Sequence, residues 1–521
     1  MIDTKALRQK ILDLAIRGKL VPQDPDDEPA SVLLERISQQ KQQMVKEGKL
    51  KPKDIKNDSV IFVGEDNLHY EKFADGSVKC IEDEIPFDIP NGWIWCRLSQ
   101  IITLFSGQDL DTSRYNDKGI GIPYITGASN LEDGKVVINR WTDSPTTHAT
   151  DGDLLITCKG SGVGKMAWCN IYDAHIARQI MALRCVEGLL SDYLEIVISA
   201  MLSNIKSKAN GLIPGLSREI ILEMMFPLPS LEEQKRICSK SREILSHIDD
   251  LDSQKSELLG AIGILKSKIL DLAIRGQLVP QNPDDEPASV LLERIRAEKE
   301  ELIKQGKIKR GKKESFIFRG EDNSYYLNNG QTTVDINDDL PFDIPDSWRW
   351  VRLKDVFIIN PRNKLDDDLD VSFIPMPLID DGYSGKHATE VRHWKEVKNG
   401  FTHFAEGDVG VAKITPCFEN RKSTVFENLT NGYGAGTTEL HVLRPFGNNI
   451  FVRYLLAYIK SDYFVEKGKQ TFTGDVGQQR ISKAYVESAY FPLPPVKEQE
   501  RIVQQIGIIF EFLNMITDAL S

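Results

Sequence analysis

The chain has 521 residues, 41% hydrophobic and 27% charged, enough for roughly two to four domains with packed cores and too apolar for a disordered tail. Its net charge of −12, from 65 basic and 77 acidic residues, excludes a uniformly basic chain. Seven cysteines form no CxxC pair and the eight histidines stand at no ligand spacing from them, so neither a zinc site nor a disulfide framework is expected, and no cofactor.

Residues 1–17 are amphipathic and charged, without the apolar core of a signal peptide, and no apolar run in the chain reaches the length of about eighteen residues that spans a membrane. We therefore expect a cytoplasmic protein. Leu7, Ile11 and Leu14 give this first segment an apolar seam. After Gly18 comes LVPQ and then PDDEPASVLLERI, where Pro29 suits a first helical turn and Asp27 and Glu28 complement its dipole. A short helix is expected to run to about Gly48, followed by the Lys-rich KLKPKDIK at 49–56. That stretch reads equally as a solvated linker or a phosphate contact.

A globular segment follows at about 92–229. It holds a buried strand opening with Gly-Asp (GDLLITC at 152), in which Asp153 reads as a turn residue, a strand ending in Leu-Arg at Arg184, and an amphipathic helix at about 192–209. The chain then passes through Ser217-Arg218 into FPLP. Leu231–Arg275 reads as one long helix of roughly 65 Å, with a capping box at Ser230 and Glu233 and Gly276 past its end. Ile237, Ile244, Leu251, Leu258, Leu265 and Leu272 recur at heptad intervals, with Ser241, Ile248, Lys255, Ile262 and Ile269 four places after the first five. Such a seam wants a partner helix.

The chain then repeats itself. Residues 10–37 and 268–295 differ only at Lys19/Gln277 and Asp24/Asn282. GEDN recurs at 64 and 320, PFDIP at 86 and 341, and FPLP with a following EQ at 226 and 491, while KIKRGKK at 307–313 echoes the first Lys-rich stretch. The second globular segment, 347–494, has the same outline (GDVGVAK at 407, a strand ending at Arg444, a helix at about 449–467, Ser482-Lys483) with different loops. The last seam, Ile502, Ile506, Ile509, Leu513, Ile516 and Leu520, matches the first half of the long helix, and residues 1–17 match its second half. A second helix split between the two chain ends would pair antiparallel with the central one and bring the termini together. A parallel homodimeric coil, or a tandem duplication without closure, satisfies the same heptads.

In element order, LDLAIRGKLVPQ…DEPASVLLERI modules, PFDIP…GW entry and PLP…EQ…I entry to a long helix, the whole chain resembles the DNA-specificity subunit of type I restriction-modification systems, the HsdS-type S subunit. The resemblance implies an α+β chain: two mixed α/β target-recognition domains joined by a long antiparallel two-helix coiled-coil spacer, a pseudo-twofold repeat with circular arrangement. The divisions are then 1–60, a helical segment completing the second spacer helix; 61–229, target-recognition domain 1; 230–313, the central helix and repeat module; 314–494, target-recognition domain 2; and 495–521, the C-terminal spacer helix. It also implies double-stranded DNA, two methyltransferase (M) subunits and restriction (R) subunits as partners, with no membrane, and catalysis in those partners. A specificity subunit of a methyltransferase-only or related system, and a coiled-coil protein-binding adaptor, are the alternatives.

No catalytic motif speaks against this. KGSGVGK at 159–165 fails as a P-loop, with Lys159 where glycine is needed and Met166 where Ser or Thr is needed. The first globular segment carries 12 basic and 14 acidic residues and the second 19 and 18, so DNA binding by this chain alone is expected to be weak. Loop residues suited to base edges are Gln108, Arg114, Lys159, Ser161, Lys165 and Arg218 in the first domain. In the second they are Lys413, Arg421, Lys422, Gln478, Gln479, Arg480 and Lys483, followed by Arg362 and Lys364. Tyr124, Trp141 and Tyr433 could stack on sugars or bases or belong to the core.

Overall fold

The computed structural model describes residues 3–52, 55, 58–132, 134–160, 162–207, 215–310, 315–447, 449–475 and 477–520. Backbone contacts divide the chain into two compact units, Ile2–Gln254 and Lys255–Ser521. The division falls inside the central helix, Leu231–Ile274, so each unit owns one half of it.

In the first unit the N-terminal helix, Thr4–Ile16, runs antiparallel to the first half of the central helix. Ala15 and Ile16 share a core with Ile237 and Cys238, and at the other end Arg8 pairs with Asp249 and, at 3.2 Å, with Asp252. In the second unit the C-terminal helix, Val496–Leu520, runs antiparallel to the second half. Ile502 packs near Ala273 and Ile274, while Lys266 Nζ donates to Asn514 at 2.6 Å. Ile262, Ile269 and Leu513 form the buried seam there.

One expectation fails on burial. Ser241, Ile248, Ile262 and Ile269 are buried as the seam requires, but Leu251, Leu258 and Leu265 are 42–46% exposed, as is Leu7 at 41%. In the same set Ile237 is buried and Ile244 and Leu272 are half-buried, so the seam opens to solvent only over its middle, at Leu251, Leu258 and Leu265.

Each unit repeats one plan beyond the helices. The modules fold as Ala30–Lys46 and Ala288–Lys304, with Pro29 and Pro287 as cap residues just outside the first turn. Three-stranded meanders follow at Ser59–Val63, His69–Phe73 and Val78–Cys80, and at Phe316–Arg319, Tyr325–Asn328 and Thr333–Asp335. Parts of both Lys-rich stretches lie outside the described residues.

The two globular segments have different sequences and the same topology. In the first, Ile102–Ser106, Ile180–Cys185, Leu154–Thr157 and Met166–Trp168 form an antiparallel sheet in that order; in the second, Phe357–Ile359, Leu440–Pro445, Val409–Ala412 and Ser423–Val425 do the same. A second sheet in each contains a parallel pair, Ile122–Ile125 with Ala174–Ile176 and Asp370–Ile374 with Tyr433–Gly436. The helix expected over 449–467 is two helices, Val452–Ile459 and Asp462–Lys469. Ser461 breaks it: its hydroxyl accepts from Phe464 N at 3.3 Å as an N-cap, and the Lys460 ammonium turns inward to the carbonyls of Gly382 and Arg421.

Candidate nucleic-acid interface and its duplicated base

Each globular segment stands on the same set of contacts. Gly18 ends the N-terminal helix at φ +63°, and a Cβ there would lie 2.4 Å from Pro90; Gly276 ends the central helix at φ +69°, with Pro345 at 2.5 Å. Only glycine tolerates both the left-handed backbone and that approach. The tryptophans of the repeated entry motif sit beneath. Trp93 Nε1 donates to Glu233 at 2.8 Å and Trp348 Nε1 to Glu498 at 2.9 Å, and the same two carboxylates accept from Gln23 and Gln281. Burial pushes both carboxyls above their ordinary value, against those hydrogen bonds.

Arg236 pairs with Asp27 and Arg501 with Asp285, each at 2.6 Å. Tyr193 and Tyr454 donate to the carbonyls of Pro227 and Pro492, both at 2.9 Å. The expected capping box is therefore half formed. Ser230 Oγ accepts from Glu233 N at 3.0 Å, but the Glu233 carboxylate reaches Trp93 and Gln23 instead of turning back.

Asp153 is not a simple turn residue. It is buried, and Arg184 from the facing strand donates to it at 2.7 and 2.8 Å; Asp408 and Arg444 repeat the pair at 2.8 and 2.7 Å. The signal was present in the sequence, since Gly-Asp and Leu-Arg recur together in both halves.

At the far end of each of those strands, the chain closes onto the segment before the short Ser-capped helix. Leu216 N donates to Cys158 O at 2.8 Å and Ile481 N to Lys413 O at 2.9 Å. This brings the exposed Lys159 beside the strand end that leads to Arg218, and Lys413 beside the loop holding Gln478, Gln479 and Arg480. Lys165 closes the hairpin of the first, through Thr157 N to its carbonyl at 2.9 Å. Ser161 lies outside the described residues. Arg218 donates to Leu104 O at 2.7 Å, and Lys483 pairs with Glu487 at 3.0 Å along the short helix Lys483–Ser488.

Other candidates are already engaged within the fold. Arg421 donates to Lys460 O at 3.0 Å, pairs with Asp462 and lies over the Tyr383 ring, while Lys422 Nζ donates to Ile379 O at 2.7 Å. Arg480 makes a bidentate pair with Glu439 at 2.9 and 3.0 Å. Gln108 and Arg114 are exposed, with Arg114 donating to Ser144 O at 2.9 Å. Arg362 donates to Phe401 O at 3.1 Å, and Lys364 is exposed. Tyr124 is core, buried against His175 and Tyr115, while Trp141 and Tyr433 are half-buried strand residues. Among the described residues no group of His, Cys, Asp or Glu could hold a metal ion, and no helix is long and apolar enough to cross a membrane.

A nearly identical base bearing a divergent tip, built twice in one chain, defines a duplicated recognition module. The type I restriction modification DNA specificity domain model matches residues 90–259 and 345–518, and the chain belongs to that family. It is 48% identical over 252 residues to the type I restriction enzyme EcoAI specificity subunit of Escherichia coli, and 45% over 250 residues to the EcoEI specificity subunit. Each match covers 48% of this chain, and 40% and 39% of those relatives, so the chain spans well under half of their length in alignment. A solved structure from work on complex assembly and conformational transition of the type I R-M system shares the fold, at TM-score 0.50 and 16% identity over 84% of this chain and 94% of that one.

Proposed function

We propose that this chain is the non-catalytic DNA-recognition subunit of a type I restriction-modification complex. Its two units read the two halves of an asymmetric bipartite site and hold two methyltransferase subunits and the restriction subunits. The observation that carries this reading is the asymmetry of repetition: Trp93–Glu233–Gln23 and Trp348–Glu498–Gln281 are superposable in chemistry, while the loops they support share topology without sequence. A shared base suits one partner type bound twice, and divergent tips suit two different half-sites.

In this reading the central helix and the two terminal helices act as an antiparallel spacer with the chain ends near its middle, and the half-sites lie about one helical turn apart, ~34 Å. Leu251, Leu258 and Leu265, exposed at heptad spacing, suit further helical partners. The DNA-facing set is Lys159, Ser161, Lys165 and Arg218 with Lys413, Gln478, Gln479 and Lys483; Gln108, Arg114, Arg421, Lys422 and Arg480 belong to it less directly. The target adenine would be turned out of the duplex into the partner's pocket.

Mapping methylated adenines across a genome with and without this chain tests the reading. A bipartite motif that vanishes on deletion is expected, and exchanging residues 92–229 should change one half-site only. An unchanged methylation pattern would overturn it.

A further inference from the structure

Between the strand ends that lead to Gln108 and Lys159 stands a turn, residues 177–179, that the recognition set above leaves out. It is tied to both neighbours: Gly107 N donates to Ile180 O at 3.1 Å and Gln108 N to Ile176 O at 3.0 Å on one side, and Cys158 N to Gln179 O at 2.8 Å on the other. The approach is close. A Cβ at Gly107 would lie 2.1 Å from Ala177 O. Beneath the turn His175, Ile176 and Ile180 are fully buried, with His175 Nδ1 accepting from Thr147 N at 3.3 Å and Nε2 lying 3.0 Å from Gln108 O. Arg178 and Gln179 are therefore exposed side chains on a fixed mount.

Asp109 holds Arg178. One carboxylate oxygen accepts from Arg178 N at 3.1 Å and the other lies 2.8 Å from Nε, while the two side chains are 66% and 48% exposed. Among the described residues no other side chain pairs with this guanidinium. An ion pair so open to water adds little to stability. Engaging Nε leaves both terminal nitrogens as donors, the fork that matches O6 and N7 of guanine. The carboxylate also separates a base from a phosphate. Beside a phosphate Asp109 would meet a like charge, whereas a base edge carries no net charge.

The second unit differs at the matching register. Ile180 stands opposite Thr157 and Leu440 opposite Ala412, so Thr438 and Glu439 hold the places of Arg178 and Gln179. Lys413 N donates to Glu439 O at 3.0 Å, as Cys158 N does to Gln179 O. Thr438 carries no charge, and Arg480 beside it is spent: Nε and Nη2 donate to Glu439 at 2.9 and 3.0 Å and Nη1 to Gln478 O at 2.8 Å. One mount thus carries an available donor fork in the first unit and an occupied one in the second.

We propose that Arg178 reads a guanine in the half-site of the first unit and that Asp109 positions it, so that this turn makes the two half-sites differ. The assignment rests on the recognition-subunit reading above. The experiment uses the full chain with the methyltransferase subunit of its own system, and exchange of residues 92–229 marks which half-site belongs to the first unit. Arg178→Ala should make one guanine position of that half-site degenerate in the map of methylated adenines and leave the other half-site unchanged. Replacing that guanine by 7-deazaguanine, which lacks the N7 acceptor, should weaken binding of a target duplex by about tenfold with the unaltered chain and change nothing with Arg178→Ala. Asp109→Asn should lower discrimination at that position while raising affinity for random duplex, because a negative charge near phosphate is lost; a merely structural role would lower both.

A first half-site with no G·C pair, or an unchanged motif with Arg178→Ala, would overturn the proposal and leave the recognition reading standing. A loss with Arg178→Ala that is equal for every duplex would do the same and assign the residue to phosphate. If the unaltered complex methylates no bipartite motif, both fall.

Discussion

The two units solve one structural problem with unequal finish. At the start of the central helix, Ser230 caps the first turn and its hydroxyl donates to Asp27 at 2.9 Å. At the matching place before the C-terminal helix stands Pro495, which has no hydroxyl, and Asp285 Oδ1 is left buried without a partner. The first unit carries one continuous recognition-domain helix, Ser191–Ser207, where the second breaks its helix at Ser461. His175 is a buried histidine of the first unit's recognition domain; His387, His403 and His441 stand in the second, half-buried or buried. The base network and the strand pairs Asp153–Arg184 and Asp408–Arg444 repeat, while the Ser230 cap and the recognition-domain helix differ between the units.

The strand pairs test this most strongly. Arg444→Met should lower the stability of the second unit by about 3 kcal/mol, because it leaves Asp408 buried and unpaired. Arg184→Met should cost less in the first, where the arginine side chain is already 38% exposed against 26% for Arg444. Hydrogen exchange resolved by segment reads each unit separately, and equal losses would break the comparison.

A smaller effect of opposite sign should follow from Pro495→Ser. A serine there restores the cap and a donor for Asp285, raising the stability of the second unit by about 1 kcal/mol. No gain in a denaturant titration would mean that the missing cap is compensated elsewhere.

The smallest difference is in pH response. Burial holds His387, His403 and His441 below the ordinary histidine value of 6.5, and His175 likewise. The unfolded chain therefore takes up protons first, so their contribution to stability is present above 6.5 and lost as pH falls from there through the lower folded values. Lowering the pH from about 7.5 to about 5.5 should loosen residues 255–521 more than residues 2–254, by the same exchange measurement. Equal loosening would assign the acid sensitivity to groups the units share.

Much of the molecule was legible in the amino-acid sequence because the relevant signals are local or repeated. Heptad spacing, Ser230 and Gly276 placed the central helix within a residue of Leu231–Ile274, and the strands at Leu154, Ile180, Val409 and Leu440 stand where apolar runs put them. The family was legible as a resemblance in the repeated modules and entry motifs, and the family model matches residues 90–259 and 345–518. What only the tertiary structure decided was pairing across long separations. Glu233 meets Trp93 from 140 residues away, and Asp153 meets Arg184 across a sheet. Arg421 and Lys422 turn inward to carbonyls, although their sequence reads as a free basic loop. Spacing along a chain determines which face of an element a side chain occupies, but the partner of a buried charge is set by where two distant elements cross, and no local period carries that information.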